Sequence, residues 1–145
     1  MDSLLRLSQH PPVVIDPKSS VLSAVELMSK NRVGAIGVVD GEKLIGIFTE
    51  RDVMERVVLR RLDPNSTPVD SVMTSPVESV ASNDDPEAAL ERMVERHIRH
   101  LPICDDRSQI LGMLSIRNLL QNQLDKANRE ADALEAFINA DGIGG

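Results

Sequence analysis

The stretch Leu44–Asp52, LIGIFTERD, returns later in the chain as Ile110–Asn118, ILGMLSIRN. An offset of 65 residues aligns the preceding parts of the two copies and pairs Pro11 with Pro76, and one extra residue then raises the offset to 66. Within the quoted stretch a glycine, a hydroxyl residue and an arginine recur in the same order. The chain of 145 residues is therefore an internal repeat of two copies.

Each copy shows the same order of predicted elements. Short extended segments, Val13–Ile15 and Val77–Val80, open the copies as strands, and a run with helical spacing follows each of them. Two apolar runs joined by a turn come next, with Asp40-Gly41 as the hairpin signal in the first copy. Closing helices run from about Arg51 and from about Arg117. We predict an α/β (α+β) fold of two tandem strand-helix-strand-strand-helix repeats, packed with pseudo-twofold symmetry.

Helix start signals support this order. Ser19 or Ser20 can cap the first helix of copy one. Asp85 is a plausible cap in copy two, where Pro86 suits the first helical position.

We divide the chain into three parts. Residues 1–65 form the first repeat with an N-terminal segment, residues 66–124 form the linker and the second repeat, and residues 125–145 form a C-terminal helical tail. The tail is longer than one repeat needs, and it packs either on its own core or against a second subunit. The apolar residues at helical spacing that lead into the tail and continue along it are Leu120, Leu124, Ala127, Ala131, Leu134 and Ile138.

Composition excludes several classes of protein. Hydrophobic residues make up 41% of the chain and charged residues 27%, which is typical of a globular protein with a real core. The net charge of −7 disfavours nucleic-acid binding, and an aromatic content of 1% excludes aromatic stacking platforms for bases. A single cysteine excludes an internal disulfide, and no apolar run approaches the roughly 20 residues of a membrane span. We expect a cytoplasmic protein without membrane contact.

The repeated stretches resemble those of CBS domains (the cystathionine β-synthase domain). The resemblance rests on Val38-Val39-Asp40 followed by Leu44–Asp52, and on Leu101–Asp105 followed by Ile110–Asn118. It covers roughly residues 13–121 and implies a tandem pair, or Bateman module, of the stand-alone bacterial type. It also implies a regulatory role without catalysis, adenosyl ligands such as AMP, ADP, ATP, NADH or S-adenosylmethionine in the cleft between the repeats, no required cofactor, and a homodimer.

Thr49 and Asp52 lie where a strand gives way to a helix. A hydroxyl at the N-cap and a carboxylate three residues later form a capping box, which alone justifies both residues. A helix N-terminus also suits phosphate, and a carboxylate suits the hydroxyls of a ribose. The resemblance implies that Thr49 and Asp52 contact the phosphate and ribose of a nucleotide.

The second copy departs from this pattern. Ser115 keeps the hydroxyl, but Asn118 replaces the acid and holds a diol less well. We therefore expect the first site to bind more strongly, and the second to be empty or to take another ligand. Arg51 and Arg117 are either phosphate contacts or ordinary surface arginines.

Further candidates come from the cleft that the resemblance implies. Arg99 and His100 are possible phosphate neighbours, and aliphatic walls have to hold any adenine because aromatics are nearly absent. Each wall residue taken singly is more often plain core. The wall candidates are Ile15, Ala35, Ile36, Val77, His100 and Leu101.

The sequence gives little support to a zinc site or to a Cys–His nucleophile pair. His97, His100 and Cys104 are close in sequence, but His100 and Cys104 would lie roughly 13 Å apart along a strand, which is too far for one zinc ion or a nucleophile pair. Cys104 is better explained as a small buried apolar residue.

The main alternative to a ligand sensor is a non-binding structural adaptor that acts through dimer or partner contacts. A nucleotide-processing enzyme would need a general base, and only Asp16, Asp52 and His100 are candidates.

Overall fold

The computed structural model describes residues 2–140 of the chain. The first half holds helix α1, strand β1, helix α2, strands β2 and β3, and a closing helix that begins as α3 and continues as a π-helix. A short 3₁₀ helix precedes the second half, which holds helix α4, strands β4 and β5, and helix α5. The bounds are α1 Ser3–Leu7, β1 Val14–Ile15, α2 Val21–Asn31, β2 Ala35–Asp40, β3 Lys43–Thr49, α3 Glu50–Asp52, π-helix Val53–Val58, 3₁₀ helix Val69–Ser71, α4 Pro86–Arg96, β4 His100–Cys104, β5 Ile110–Ser115 and α5 Ile116–Ala140.

The mixed α+β architecture and the repeat are confirmed. In the first half β1 pairs in parallel with β2, and β2 pairs antiparallel with β3. In the second half β4 pairs antiparallel with β5. A β-bulge interrupts each hairpin at the same place, between Val38 and Val39 and between Ile103 and Cys104.

The predicted strand Val77–Val80 is wrong. Only Val80 forms a bridge there, with Ile103 of β4. In the first half the Gly37 N–H donates to the Val13 carbonyl at 3.0 Å. The residue that corresponds to Gly37 is Pro102, which has no N–H to donate, so the matching ladder bond cannot form.

Helix starts follow the predicted signals with one exception. Ser20 caps α2, because its side chain accepts a hydrogen bond from the Ser23 N–H at 3.1 Å. Pro86 occupies the first turn of α4 as predicted. Asp85 is the N-cap residue of α4, but its side chain accepts no capping hydrogen bond.

Each repeat is completed by the segment that precedes the other one. Leu4 of α1 is buried in the core of the second repeat, and Val69 of the 3₁₀ helix is buried in the core of the first. Gln9 bridges to Met113 of β5, and Thr74 bridges to Ile47 of β3. The two halves are therefore interlocked rather than consecutive.

Two glycines make room for these crossing segments. A Cβ on Gly46 would overlap the sulfur of Met73, and a Cβ on Gly112 would overlap the hydroxyl of Ser8. Both glycines lie inside strands, where the absence of a side chain permits the close approach of another backbone. A third small cluster, formed by Ala35, Ile47 and Met113 with Ile110 packed against it, joins the two halves at their centre.

Candidate functional site

A cleft of about 450 Å³ opens between the two repeats. Most of its lining comes from the end of β3 and the helix that follows, with one residue from the linker and three from the start of β4 and the turn before it. The lining residues are Gly34, Ile47, Thr49, Glu50, Arg51, Asp52, Met54, Glu55, Arg56, Thr74, Ile98, Arg99 and His100.

The predicted capping box is present at the floor of this cleft. The Thr49 N–H donates to Asp52 Oδ2 at 3.0 Å, and the Asp52 N–H donates to Thr49 Oγ1 at 3.2 Å. Asp52 is only 5% exposed. A buried carboxylate of this kind has to be satisfied by hydrogen-bond donors or by a charge partner.

Two further residues supply those partners, and neither was predicted. The Thr74 hydroxyl donates to Asp52, at 3.0 Å from Oδ1 and 3.2 Å from Oδ2, and Arg56 Nε lies 3.6 Å from Oδ1. Arg56 is detectable in principle, because residues four apart on a helix are neighbours. Thr74 has no local signal, because it reaches Asp52 only through its bridge to β3.

Three arginines line the cleft together with the three acidic residues Glu50, Asp52 and Glu55, so its formal charges balance. Arg51 reaches across from the first repeat and donates from Nη1 to the His97 carbonyl of the second repeat at 3.1 Å. Arg56 donates from Nη1 to the Met73 carbonyl at 2.6 Å. Arg99 is exposed at the rim. Guanidinium groups of this kind bind carboxylate and phosphate oxygens, while the nearby Glu50 and Glu55 limit the negative charge that the cleft accepts.

His100 occupies the second-repeat side of the cleft in a half-buried position. Burial lowers the pKa of His100, Arg99 lowers it further, and Glu50 opposes this shift. This shift favours the neutral ring, which can donate one hydrogen bond and accept another. A Cβ on Gly34 would lie 3.2 Å from His100 Cε1, so the glycine leaves the ring its space.

The structure brings only part of the predicted set together. Thr49, Arg51, Asp52, Arg99 and His100 line the cleft. The other candidates are outside its lining. Ile36 and Leu101 are buried in the separate cores of the two repeats, Ala35 is buried at the junction between them, Ile15 and Val77 are partly buried elsewhere, and Ser115, Arg117 and Asn118 surround the start of α5.

The second repeat nevertheless rebuilds the same cap. The Ser115 N–H donates to Asn118 Oδ1 at 3.0 Å, and the Asn118 N–H donates to Ser115 Oγ at 3.1 Å. An amide oxygen therefore replaces a carboxylate oxygen in the box without loss of either hydrogen bond. The position of Arg117 is exposed.

No convergence of three or more His, Cys, Asp or Glu side chains suited to a metal ion occurs within residues 2–140. Cys104 is half-buried, and this burial raises the pKa of its thiol. In the same range of residues, no helix combines the length and the hydropathy that crossing a bilayer requires.

Comparisons with known proteins agree with this architecture. A solved CBS-domain protein is 36% identical, with a TM-score of 0.77 over 83% of this chain and 94% of its own. A CBS domain protein from Pyrobaculum aerophilum, solved in complex with AMP, is 27% identical, with a TM-score of 0.73 over 81% of this chain and 89% of its own.

A curated relative is the meiotically up-regulated gene 70 protein of Schizosaccharomyces pombe, 32% identical over 136 residues. The match covers 94% of this chain but only 19% of that relative. The CBS domain model matches twice, at residues 5–59 and 69–125. The chain therefore belongs to the CBS-domain family and consists largely of a tandem pair of these domains.

Proposed function

We propose that the protein is a regulatory module that binds an adenosyl ligand in the cleft between its repeats. The observation that carries this proposal is the cleft itself, where the Thr49–Asp52 capping box, three arginines and a histidine meet around a volume of about 450 Å³. Small-molecule sites usually have volumes of about 300–1,000 Å³ and a few convergent polar groups. The AMP complex of the Pyrobaculum aerophilum relative supports an adenine nucleotide as the ligand class.

The cleft offers suitable side chains for each part of such a ligand. Ile47, Met54 and Ile98 offer aliphatic faces for an adenine, which has no aromatic partner here. Arg51 and Arg99 offer donors to a phosphate or carboxylate at the rim. AMP, ADP, ATP, NADH and S-adenosylmethionine share the adenosyl part, and the cleft does not separate them.

Asp52 has a double role in this proposal. Its two oxygens already accept from the Thr49 N–H and the Thr74 hydroxyl, and each carboxylate oxygen has capacity for a second donor. A ribose hydroxyl would use that remaining capacity. The same side chain thus stabilises the fold and holds the ligand.

Signalling would follow from the ligand touching both repeats. A molecule held by Arg51 on one side and His100 on the other favours one relative arrangement of the halves over another, which is the requirement for a switch. We propose that a homodimer or an unidentified protein partner in the cytoplasm reads this change. We propose no catalytic step, because Asp52, the carboxylate nearest to Thr49, is occupied by hydrogen bonds from the Thr49 N–H and the Thr74 hydroxyl.

A thermal-unfolding screen of the full chain against the five ligands tests the proposal. A ligand at 100 times its dissociation constant adds about 2.7 kcal/mol, which raises Tm by roughly 8–11 °C for a domain of this size. We expect a rise for at least one ligand, its reduction in Arg99→Ala, and its retention in the matched control Arg117→Ala outside the cleft. The same rise in both variants would remove the cleft as the site.

A structural adaptor remains the second candidate, because every polar atom of the Thr49–Asp52 box already has an internal partner. It predicts no shift with any ligand, after absorbance near 260 nm has excluded a nucleotide carried through purification. In that case Arg51 serves only to tie the repeats together through the His97 carbonyl.

A further inference from the structure

Helix α5 extends well beyond the body of the module. Its 25 residues correspond to about 37 Å. Leu119 is buried in the core of the second repeat, and Lys126 lies 3.6 Å from Glu87 of α4. From residue 124 to residue 140, every residue of the helix is exposed.

This projecting helix carries an apolar stripe that the described residues leave uncovered. The spacing alternates between four and three residues, which is the heptad pattern of helices that pair side by side. Leu120 is 52% exposed, Leu124 55% and Leu134 60%. The stripe consists of Leu120, Leu124, Ala127, Ala131, Leu134 and Ile138.

The stripe is also palindromic in size. Read from either end, it runs large, large, small, small, large, large, with its centre at residue 129. A second copy of the helix laid antiparallel about this centre sets Ala127 against Ala131, Leu124 against Leu134 and Leu120 against Ile138. Small layers in the middle allow close approach, and large layers at the ends fill the space between the helices.

The charges of α5 argue for the same orientation. Residues 116–129 hold three basic side chains and one acidic, and residues 130–140 hold three acidic side chains and none that is basic. This distribution opposes the macrodipole of a single helix, which favours acids at the N-terminus and bases at the C-terminus. In the antiparallel register centred on residue 129, Lys126 of one helix lies level with Asp132 of the other, whereas a parallel pair sets each of these charges beside its own copy.

We propose that α5 is an interface to a second copy of this chain, and that two α5 helices pair antiparallel through residues 120–138 with residue 129 at the twofold axis. The length of the helix fits this register, because residue 138 of one copy reaches Leu120 of the other, where the exposed stripe begins. The pairing is separate from the ligand cleft and does not depend on its occupancy.

A nitroxide label at position 139 tests the orientation. The labelled protein is the full chain with Cys104→Ala and Asn139→Cys, and the distance between labels is measured by pulsed electron paramagnetic resonance. The proposed register separates the two positions by 20 residues along the axis, or about 30 Å. A parallel pair would place them at roughly 10–20 Å.

Two double variants of the labelled protein complete the experiment. Leu124→Asp with Leu134→Asp places charges on the stripe and should abolish the 30 Å peak. The matched control, Ala133→Asp with Ala136→Asp, adds the same charges to exposed positions off the stripe and should retain the peak. Absence of a peak in the parent protein, a short distance, or a peak that survives the stripe variant would each overturn the proposal. Tm of both variants verifies that the module remains folded.

Discussion

The contributions of Asp52 to the stability of the fold can be separated by comparing it with Asn118, its counterpart in the second repeat. Both residues complete a capping box, but only Asp52 also accepts from a threonine hydroxyl of the linker. Asp52→Ala removes all of these hydrogen bonds. Asp52→Asn places an amide in the first box, as Asn118 does in the second, where the amide oxygen accepts the capping hydrogen bond. Asn118→Ala removes a cap and nothing else that the structure describes.

The magnitudes follow from these contacts. Loss of a cap costs about 1 kcal/mol, and a hydrogen bond to a buried charged group contributes about 1.5–3 kcal/mol. Asp52→Ala should therefore lower the free energy of unfolding by about 3 kcal/mol, and Asn118→Ala by about 1 kcal/mol. Asp52→Asn keeps the cap and should cost about 1 kcal/mol. The ion pair with Arg56 is left out of these figures, because the Arg56 side chain is 37% exposed and its charge is screened.

Urea unfolding of the ligand-free variants measures these differences, and Tm provides a second readout. For a chain of this length 1 kcal/mol corresponds to roughly 3–4 °C, so Asp52→Ala should lower Tm by about 10 °C. If Asp52→Asn were as damaging as Asp52→Ala, charge rather than hydrogen bonding would explain the role of Asp52. Equal effects of Asp52→Ala and Asn118→Ala would refute the contribution of Thr74.

Three other predictions concern pH, packing and capping. Because burial lowers the pKa of His100 below its ordinary value of 6.5, the unfolded chain binds this proton more readily, and Tm should fall as the pH drops from 7 to 5. His100→Asn should reduce that fall, and an unchanged pH profile would contradict the assignment. Gly46→Ala should destabilise the fold by about 1–3 kcal/mol in urea unfolding, since the added Cβ meets Met73, and a second change, Met73→Ala, should cost less in that background than in the parent protein. Ser20→Ala should cost about 1 kcal/mol, whereas Asp85→Ala should cost less than half of that, because only Ser20 accepts a capping bond. If calorimetry found the same loss of unfolding free energy for Ser20→Ala and Asp85→Ala, the capping hydrogen bond would not explain the stability of these helix starts.

The repeated motif predicted most of the local structure. Apolar spacing and turn residues depend on neighbours a few positions away, so the helices, the hairpins and the Thr49–Asp52 box could be inferred from the chain alone. The structure also forms a second box at Ser115 and Asn118, which was not predicted, with an amide in place of an acid. The strand predicted at Val77–Val80 shows the limit of this reasoning. It does not form, because its pairing depends on Pro102, a residue of the partner strand.

Only part of the candidate site could be predicted, for a related reason. Thr49, Arg51 and Asp52 belong to the repeated stretch, and they line the cleft. Thr74 contributes from a linker 22 residues away, and its approach depends on the space left by Gly46. Apolar candidates were the least predictable, since Ile36 and Ile47 are both buried and only tertiary packing decides that Ile47 also borders the cleft.

The sequence by itself determined the twofold repeat, most of the order of elements within it and the helix caps at Ser20 and Thr49, because periodicity and capping are local interactions. Tertiary structure decided that each repeat is completed by the segment preceding the other, and that three arginines and a histidine meet in one cleft. These features join residues that are far apart in the chain. Their free energy comes from burial and long-range hydrogen bonds, which no local pattern encodes.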